Sequence, residues 1–311
     1  MNIIFFGSPQ YSCKVLNTLI SSKHKISAVV TQDFKHNKNK KIKDTFVGQF
    51  ASDNKIDVLR PANLSDNNFR NKIKSYKADL FIIYAYGKIL PLEIISLPSN
   101  GIINIHCSLL PKWRGAAPIQ RALMNDDYNT GVTFFKIDEG LDSGKILKYY
   151  DYTILDEDDS LILQTKLSDL ASEKIIEILN KDIQNLKYQT QDDSLASYAT
   201  KIKKDEAVID WNEPCRTIFC KIRALVGWPV AETQLYGERL KIWKSSYLNK
   251  KHVFETGSVV DFTSEALSIA AIDGIINIEK LQLPGKNIVT ARDFYNSNSN
   301  LTNKIKGFFH K

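Results

Sequence analysis

No stretch of this chain approaches the ~20 consecutive apolar residues needed to cross a bilayer as a helix. The opening MNIIFFGSP has no basic lead, and its apolar run is too short for a secretory signal, so the cytoplasm is the expected compartment and no membrane is expected among the partners. Cysteine is scarce. Residues Cys13, Cys107, Cys215 and Cys220 contain no C-x-x-C pair, and disulfides and zinc are both unexpected. Glycine is missing where a dinucleotide would need it. The turn after the first apolar run has Gly7 alone, without G-x-G-x-x-G, which disfavours a nicotinamide or flavin dinucleotide. There is no G-x-x-x-x-G-K-[ST] either, so ATP hydrolysis is not indicated. Internal repeats are absent.

What is present is an ordinary soluble composition. The chain has 311 residues, 43% apolar and 25% charged, which suggests two domains. The net charge of +7 is unevenly placed, because residues 34–45 alone hold five lysines and one aspartate. The rest of residues 1–205 is neutral. A basic loop of this kind points to a polyanionic partner, and equally fits a solvated lysine loop.

Asn2–Phe6 is a short apolar run before a Gly-Ser-Pro turn and reads as the buried first strand of a parallel sheet. Tyr11–Ile20 carries the helical stripe Val15, Leu16, Leu19 and Ile20. Ile26–Thr31 is the next strand, Asp66–Tyr76 a polar helix, and Asp79–Tyr86 (DLFIIYAY) a central strand. Asp159–Asn180 reads as one long amphipathic helix, with Leu161, Leu163, Leu167, Leu170, Ile175, Ile176 and Leu179 as its stripe. Gln189–Lys204 is polar and reads as a linker. Beyond it the pattern changes to a helix at Cys215–Val226 and then short alternating runs, spaced as in a small barrel. Basic charge and surface aromatics on such a barrel fit an OB-like nucleic-acid module, or a barrel that only packs.

The stretch Gly101–Arg121 (GIINIHCSLLPKWRGAAPIQR) organises the first part. Residues two apart on a strand share a face, so Asn104 and His106 project together at the strand end where open α/β sheets bind ligands. A carboxamide beside an imidazole suits a carbonyl oxygen that gains negative charge. The pair taken alone fits a satisfied structural histidine as well. Cys107 lies next to His106, but adjacent strand residues point to opposite faces, which argues against a Cys-His nucleophile. Downstream, GVTFFKIDEGLDSGKIL places Asp138, Gly140, Asp142 and Gly144 in one loop. The spacing lacks the further oxygen ligands of a calcium loop, and Asp138 reads as a turn cap.

These two motifs, NIHCSLLPKWRGAAPIQRA and Asp-x-Gly-x-Asp-x-Gly, resemble those of the folate-dependent formyltransferases, and the resemblance runs over nearly the whole chain. It implies a doubly wound, mostly parallel Rossmann-like α/β sheet followed by a small OB-like β-barrel domain. The implied division is a catalytic domain at 1–188, a linker at 189–205 and a tRNA-binding domain at 206–311. It implies formyl transfer from 10-formyltetrahydrofolate to the methionyl amine of initiator tRNA, for translation initiation, with no metal and no obligate protein partner. Catalysis would fall to Asn104, His106 and Asp142, with Asp142 as the partner of His106. Folate binding would fall to Ser108, Leu109, Leu110, Pro111, Tyr86 and Gly87. Contact with tRNA would fall to Lys38, Lys40, Lys41, Lys43, Lys112 and Arg114. The 34–45 loop departs from the family pattern: Lys38 and Asn39 stand where an Arg-Gly pair is usual, and lysine offers a point charge instead of a planar fork. Alternatives are a formyltransferase acting on a nucleotide-sugar amine, or a non-catalytic RNA-binding protein with a retired enzyme domain. The intact Asn-His-Asp set speaks against the latter.

Overall fold

The structure, a computed structural model, describes residues 1–33, 44–181, 187–297 and 299–309. Lys38, Lys40, Lys41 and Lys43 lie outside them. The chain divides into two compact units. The first is Met1–Pro118, Asn129–Ile154 and Gln164–Thr200, and the second is Ile119–Tyr128, Leu155–Leu163 and Lys201–Lys311.

In chain order the elements are β1 (Asn2–Phe6), α1 (Ser12–Ile20), β2 (Lys25–Val30), α2 (Phe46–Asp53), β3 (Asp57–Leu59), α3 (Asn67–Ser75), β4 (Leu80–Tyr84) and α4 (Leu92–Ile95). They continue with β5 (Ile102–His106), β6 (Arg114–Gly115), α5 (Pro118–Met124), β7 (Asn129–Lys136), β8 (Ile146–Thr153), α6 (Ser160–Leu179) and β9 (Tyr198–Ala199). The last group is α7 (Cys215–Ala224), β10 (Glu232–Leu235), β11 (Glu238–Leu248), β12 (Val259–Phe262), β13 (Leu267–Ala270), β14 (Ile275–Gln282), β15 (Val289–Thr290), α8 (Ala291–Asn296) and α9 (Asn300–Phe309).

The first unit is built on a seven-stranded sheet in the order β3-β2-β1-β4-β5-β7-β8. Strands β1 to β5 pair in parallel, while β7 and β8 run antiparallel at one edge. This is the mostly parallel, doubly wound sheet that the sequence implied. Ile3–Phe6 and Leu80–Tyr84 are buried, as expected of strands covered on both faces. From β1 the order runs out through β2 to β3, then returns to β4 on the other side. That reversal makes the carboxyl ends of β1 and β4 the switch point where such sheets bind ligands.

The apolar stripe holds α1 to the unit, and α6 belongs to it from Gln164 onward; of the stripe expected on α6, Leu170 and Ile176 are half-buried. Leu167, Ala171, Ile175 and Ile178 form the buried face of α6 in this unit; Leu163, in the second unit, is buried too, whereas Leu161 is exposed. Asp66 caps α3 by accepting the N–H groups of Asn68 and Phe69, and Thr45 caps α2 by accepting that of Gly48. The segment read as a linker is anchored along the first unit: Gln189 bridges Ile146, and β9 pairs in parallel with β6.

The second unit carries the antiparallel sheet β10-β11-β14-β13-β12, with β15 added to β14. Its strands branch at β14 and bulge along β11, which curls the sheet into half of the expected barrel. Ile276, Ile278 and Leu281 of β14, and Leu240 and Ile242 of β11, are fully buried. Arg216 on α7 forks onto Asp126 at 2.6 and 2.8 Å, and Arg121 onto Glu206 at 2.6 and 3.1 Å. The 119–128 segment thereby belongs to the second unit by charge as well as by packing.

Candidate active site

Strand β5 lies between β4 and β7, with Asn104 opposite Ile83 and Phe135. Pairing with β4 ends at Tyr84 and Ile105, so His106 projects one residue beyond it. Asn104 is half-buried, and its carboxamide makes no hydrogen bond among the described residues. His106 is 6% exposed and stands edge-on to the Phe135 ring.

Both nitrogens of His106 face acceptors. Nε2 lies 2.8 Å from the Trp113 carbonyl, and Nδ1 lies 3.6 Å from Asp142 Oδ2. A carbonyl oxygen only accepts, so hydrogen-bond chemistry assigns a proton to Nε2. Asp142 Oδ2 also accepts the Gly115 N–H at 2.9 Å. Asn104 and His106 thus share one strand face, and Asp142 lies beside the imidazole.

The backbone on either side of the imidazole is unusual. Trp113 has φ 63° and Asp142 φ 50°, both left-handed, at ~1–2 kcal/mol each for an L-residue. Neighbouring bonds hold them. Trp113 N–H donates to Ser197 Oγ at 3.0 Å and Arg114 N–H to Ser197 O at 2.8 Å. Gly115, at φ 121°, passes so close to the linker segment that a Cβ there would meet Ala199 O at 2.8 Å. Gly144 is tighter still, since a Cβ would meet Lys136 O at 1.7 Å. Asp138 caps the intervening turn by accepting from Gly140 N–H and Ser143 Oγ, each at 3.0 Å.

The six residues expected at the folate divide by role. Ser108 Oγ donates to Lys112 O at 2.6 Å, and Ser108 O accepts from Thr133 Oγ1 at 2.6 Å. Leu110 N–H donates to the same Thr133 hydroxyl at 3.1 Å, and its side chain packs on Phe135 and Ile146. Ser108 and Leu110 therefore shape the loop from within, and Leu109 and Pro111 are half-buried at its surface. Tyr86 packs its ring on Phe6 in the core, and its carbonyl accepts from Gln32 Nε2 at 2.7 Å. Its hydroxyl is buried without a hydrogen-bond partner among the described residues, and burial pushes it up to about 12. Gly87 follows at φ 75°.

Of the two described residues expected at tRNA phosphates, Lys112 is exposed, its Nζ over the Trp113 ring. Arg114 departs from the expectation. It is 3% exposed, and its guanidinium is committed to Gln191 Oε1 at 3.0 and 2.8 Å and to Asp193 Oδ1 at 2.8 Å. Nε and both Nη2 contacts of the fork are thus turned inward to protein acceptors. Gln191 was not singled out in the sequence, where one glutamine in a polar stretch carries no periodic or motif signal. Cys107 donates nothing to the site either: its Sγ lies 3.5 Å from Tyr84 Oη, and burial pushes the thiol up to about 11, leaving little thiolate at neutral pH.

Among the described residues no group of three or more His, Cys, Asp or Glu is arranged to hold a metal ion, and no helix is long and apolar enough to cross a membrane. An unengaged carboxamide, an imidazole and a carboxylate at the strand ends of a Rossmann-like sheet are groups suited to a carbonyl that gains negative charge. Family comparison makes the class specific. Residues 1–179 match the formyl transferase family and residues 201–299 match the formyl transferase C-terminal domain. The chain belongs to the formyl transferase family. It is 38% identical over 299 residues to a methionyl-tRNA formyltransferase of Coxiella burnetii, covering 96% of this chain and 95% of that protein. Its fold is similar to that of a methionyl-tRNA formyltransferase from Clostridium thermocellum, at a TM-score of 0.58 and 18% identity, over 81% of this chain and 95% of that one. It is also similar to HypX from Aquifex aeolicus in complex with tetrahydrofolic acid, at a TM-score of 0.66 and 18% identity. There it covers 94% of this chain and 46% of HypX, so the chain spans about half of that protein's length.

Proposed function

We propose that this chain transfers a formyl group from 10-formyltetrahydrofolate to the methionyl amine of initiator tRNA. The observation that carries the reading is the unengaged Asn104 carboxamide on the strand face of His106, with Asp142 behind the imidazole, in a chain whose full-length relatives bear that activity in their name.

The amine nitrogen attacks the formyl carbon as a free base. The new C–N bond turns the carbonyl into a tetrahedral oxyanion, and collapse breaks the bond from that carbon to the folate N10. The proton shed by the attacking nitrogen ends on N10, and tetrahydrofolate leaves. Asn104 donates a hydrogen bond to the oxyanion. His106 supplies a second donor from its Nε2–H by exchanging the Trp113 carbonyl for the substrate oxygen, and Asp142 holds the imidazole in orientation from the Nδ1 side. Neither a covalent intermediate nor a metal is needed for this sequence of steps.

The folate lies against Leu109 and Pro111 and beside Tyr86 and Gly87, with Ser108 and Leu110 keeping the loop in shape. Lys112 and the lysines 38, 40, 41 and 43 meet the tRNA, and residues from 206 onward supply further contact. Arg239, paired with Glu232, and Lys241 line a cavity of about 250 Å³ in that unit. The activity belongs in the cytoplasm, where initiator tRNA is charged. Mixing the protein with 10-formyltetrahydrofolate and methionyl initiator tRNA, then digesting the product, should yield formylmethionine. Free methionine with an unconsumed formyl donor would refute the reading.

A further inference from the structure

We propose that Gln191 is a positioning residue for Asp142, and that Arg114 acts only through it. The claim rests on the reading of Asp142 given above and extends it to a residue from a separate part of the chain.

Asp142 needs an external hold. Its backbone is left-handed, at φ 50°, a conformation that persists only where surrounding bonds over-determine it. Its carboxylate reaches His106 in that conformation. The required hold is found on the carbonyl side of the same residue. Gln191 Nε2 donates to Asp142 O at 2.8 Å and to Gly144 O at 2.7 Å, so one amide group clasps both ends of the turn. The other end of that amide accepts from Arg114 Nε and Nη2, and Asp193 takes a further Arg114 proton at 2.8 Å. Gln191 is 8% exposed and Arg114 3%.

The chemistry of the clasp admits one amide orientation. Two carbonyls require two N–H donors, and a guanidinium requires an acceptor. A primary amide alone supplies both in one planar group. The clasp also links the two sides of the imidazole. Arg114 follows Trp113, whose carbonyl meets Nε2, and precedes Gly115, whose N–H meets the Asp142 carboxylate. Gln191 thus ties the strand pair β6–β9 to the Asp142 turn, and both acceptors of His106 hang from the same frame.

Gln191→Glu isolates the effect. It keeps the size and strengthens the pairing with Arg114, but sets a carboxylate oxygen against two carbonyls and releases the turn. A misplacement of ~1 Å at a reacting group costs up to ~100-fold. In Gln191→Glu, kcat should fall ~10–100-fold while KM for the folate stays within about twofold. Asp142→Asn alone should lower kcat, and adding Gln191→Glu to it should lower kcat no further, because the group being positioned is already gone. A residue with only a structural role would give additive losses. If Gln191→Glu fails to fold by circular dichroism, Gln191→Asn and Arg114→Lys, which retain the polarity but shorten or unfork the clasp, take its place in the same cycle. Unchanged kcat in a folded variant, or additive losses in the double variant, overturns the positioning role while the reading of Asp142 stands. Unchanged kcat in Asp142→Asn overturns both.

Discussion

Asp142 Oδ2 lies 3.6 Å from His106 Nδ1 while accepting the Gly115 N–H at 2.9 Å. One carboxylate oxygen therefore faces the imidazole and is fixed by the backbone that also carries Trp113. Removing that charge with Asp142→Asn should leave the fold intact and lower turnover ~10²–10⁴-fold, with a far smaller change in folate affinity. His106→Ala should fall in the same range, and the double variant should be well short of the product of the two losses. Steady-state kinetics on the three proteins decides this. Near wild-type turnover in either single variant removes that residue from the chemistry.

Asn104 gives a cleaner case, because its carboxamide has no hydrogen bond to lose among the described residues. Asn104→Ala should leave the melting temperature close to wild type and lower kcat ~10²–10³-fold, as loss of one oxyanion donor does. A large drop in melting temperature with unchanged kcat would assign Asn104 to the scaffold instead.

In the second unit, hydrogen bonding to Arg216 holds the Asp126 carboxyl below the usual carboxylate range. A depressed acid contributes stability that is present above its unfolded value, near 4, and is lost as the pH falls through its folded value. The wild-type protein should therefore melt higher than Asp126→Asn at pH 7, and the gap should narrow below about pH 4. Melting curves across pH 3–7 for both proteins test it. A gap that does not change with pH would show that the charge of Asp126 does not act through Arg216.

Cutting the chain at residue 205 should do more than remove a binding module. It deletes Glu206 from Arg121 and Arg216 from Asp126, and leaves the buried Ile119, Ala122 and Leu123 without the rest of their unit. The truncated chain should aggregate or melt well below the full chain. A monomeric product with the full-length melting temperature would make residues 119–128 part of the first unit.

The lysine loop is tested by salt. Each phosphate neutralised adds roughly −0.7 to −0.9 to the slope of log affinity against log salt. Replacing Lys38, Lys40, Lys41 and Lys43 together by Ala should flatten the slope for tRNA by up to about 3 units and leave folate affinity unaltered. An unchanged slope would put the footprint on Lys112 and the second unit.

Much of this arrangement was legible in the sequence because burial and chemistry each left a local mark. The apolar runs of β1, β4 and β5 announce buried strands, Asp66 sits where a helix needs a cap, and Asn104 and His106 share a face by spacing alone. Strand β8 leaves no clear mark in the sequence, because at a sheet edge its outward residues are polar and its pattern dilutes. The antiparallel sense of β7 has no signature, since an apolar run reads the same in either direction. Arg114 looked like surface charge in Lys-Trp-Arg-Gly, and only the return of residues 191–199 onto β6 buries it. Gln191 escaped for the same reason: its partners lie 47 or more residues away along the chain.

The most direct test sets acceptors side by side. The protein is given 10-formyltetrahydrofolate with methionyl initiator tRNA, methionyl elongator tRNA, uncharged initiator tRNA or an amino-sugar nucleotide, and release of tetrahydrofolate is followed against formylated product. Transfer to the methionyl amine of initiator tRNA predicts stoichiometric formylmethionyl-tRNA with the first acceptor, a much lower kcat/KM with the second and none with the last two. Formylation of the amino sugar, or tetrahydrofolate release without any formylated acceptor, would contradict it.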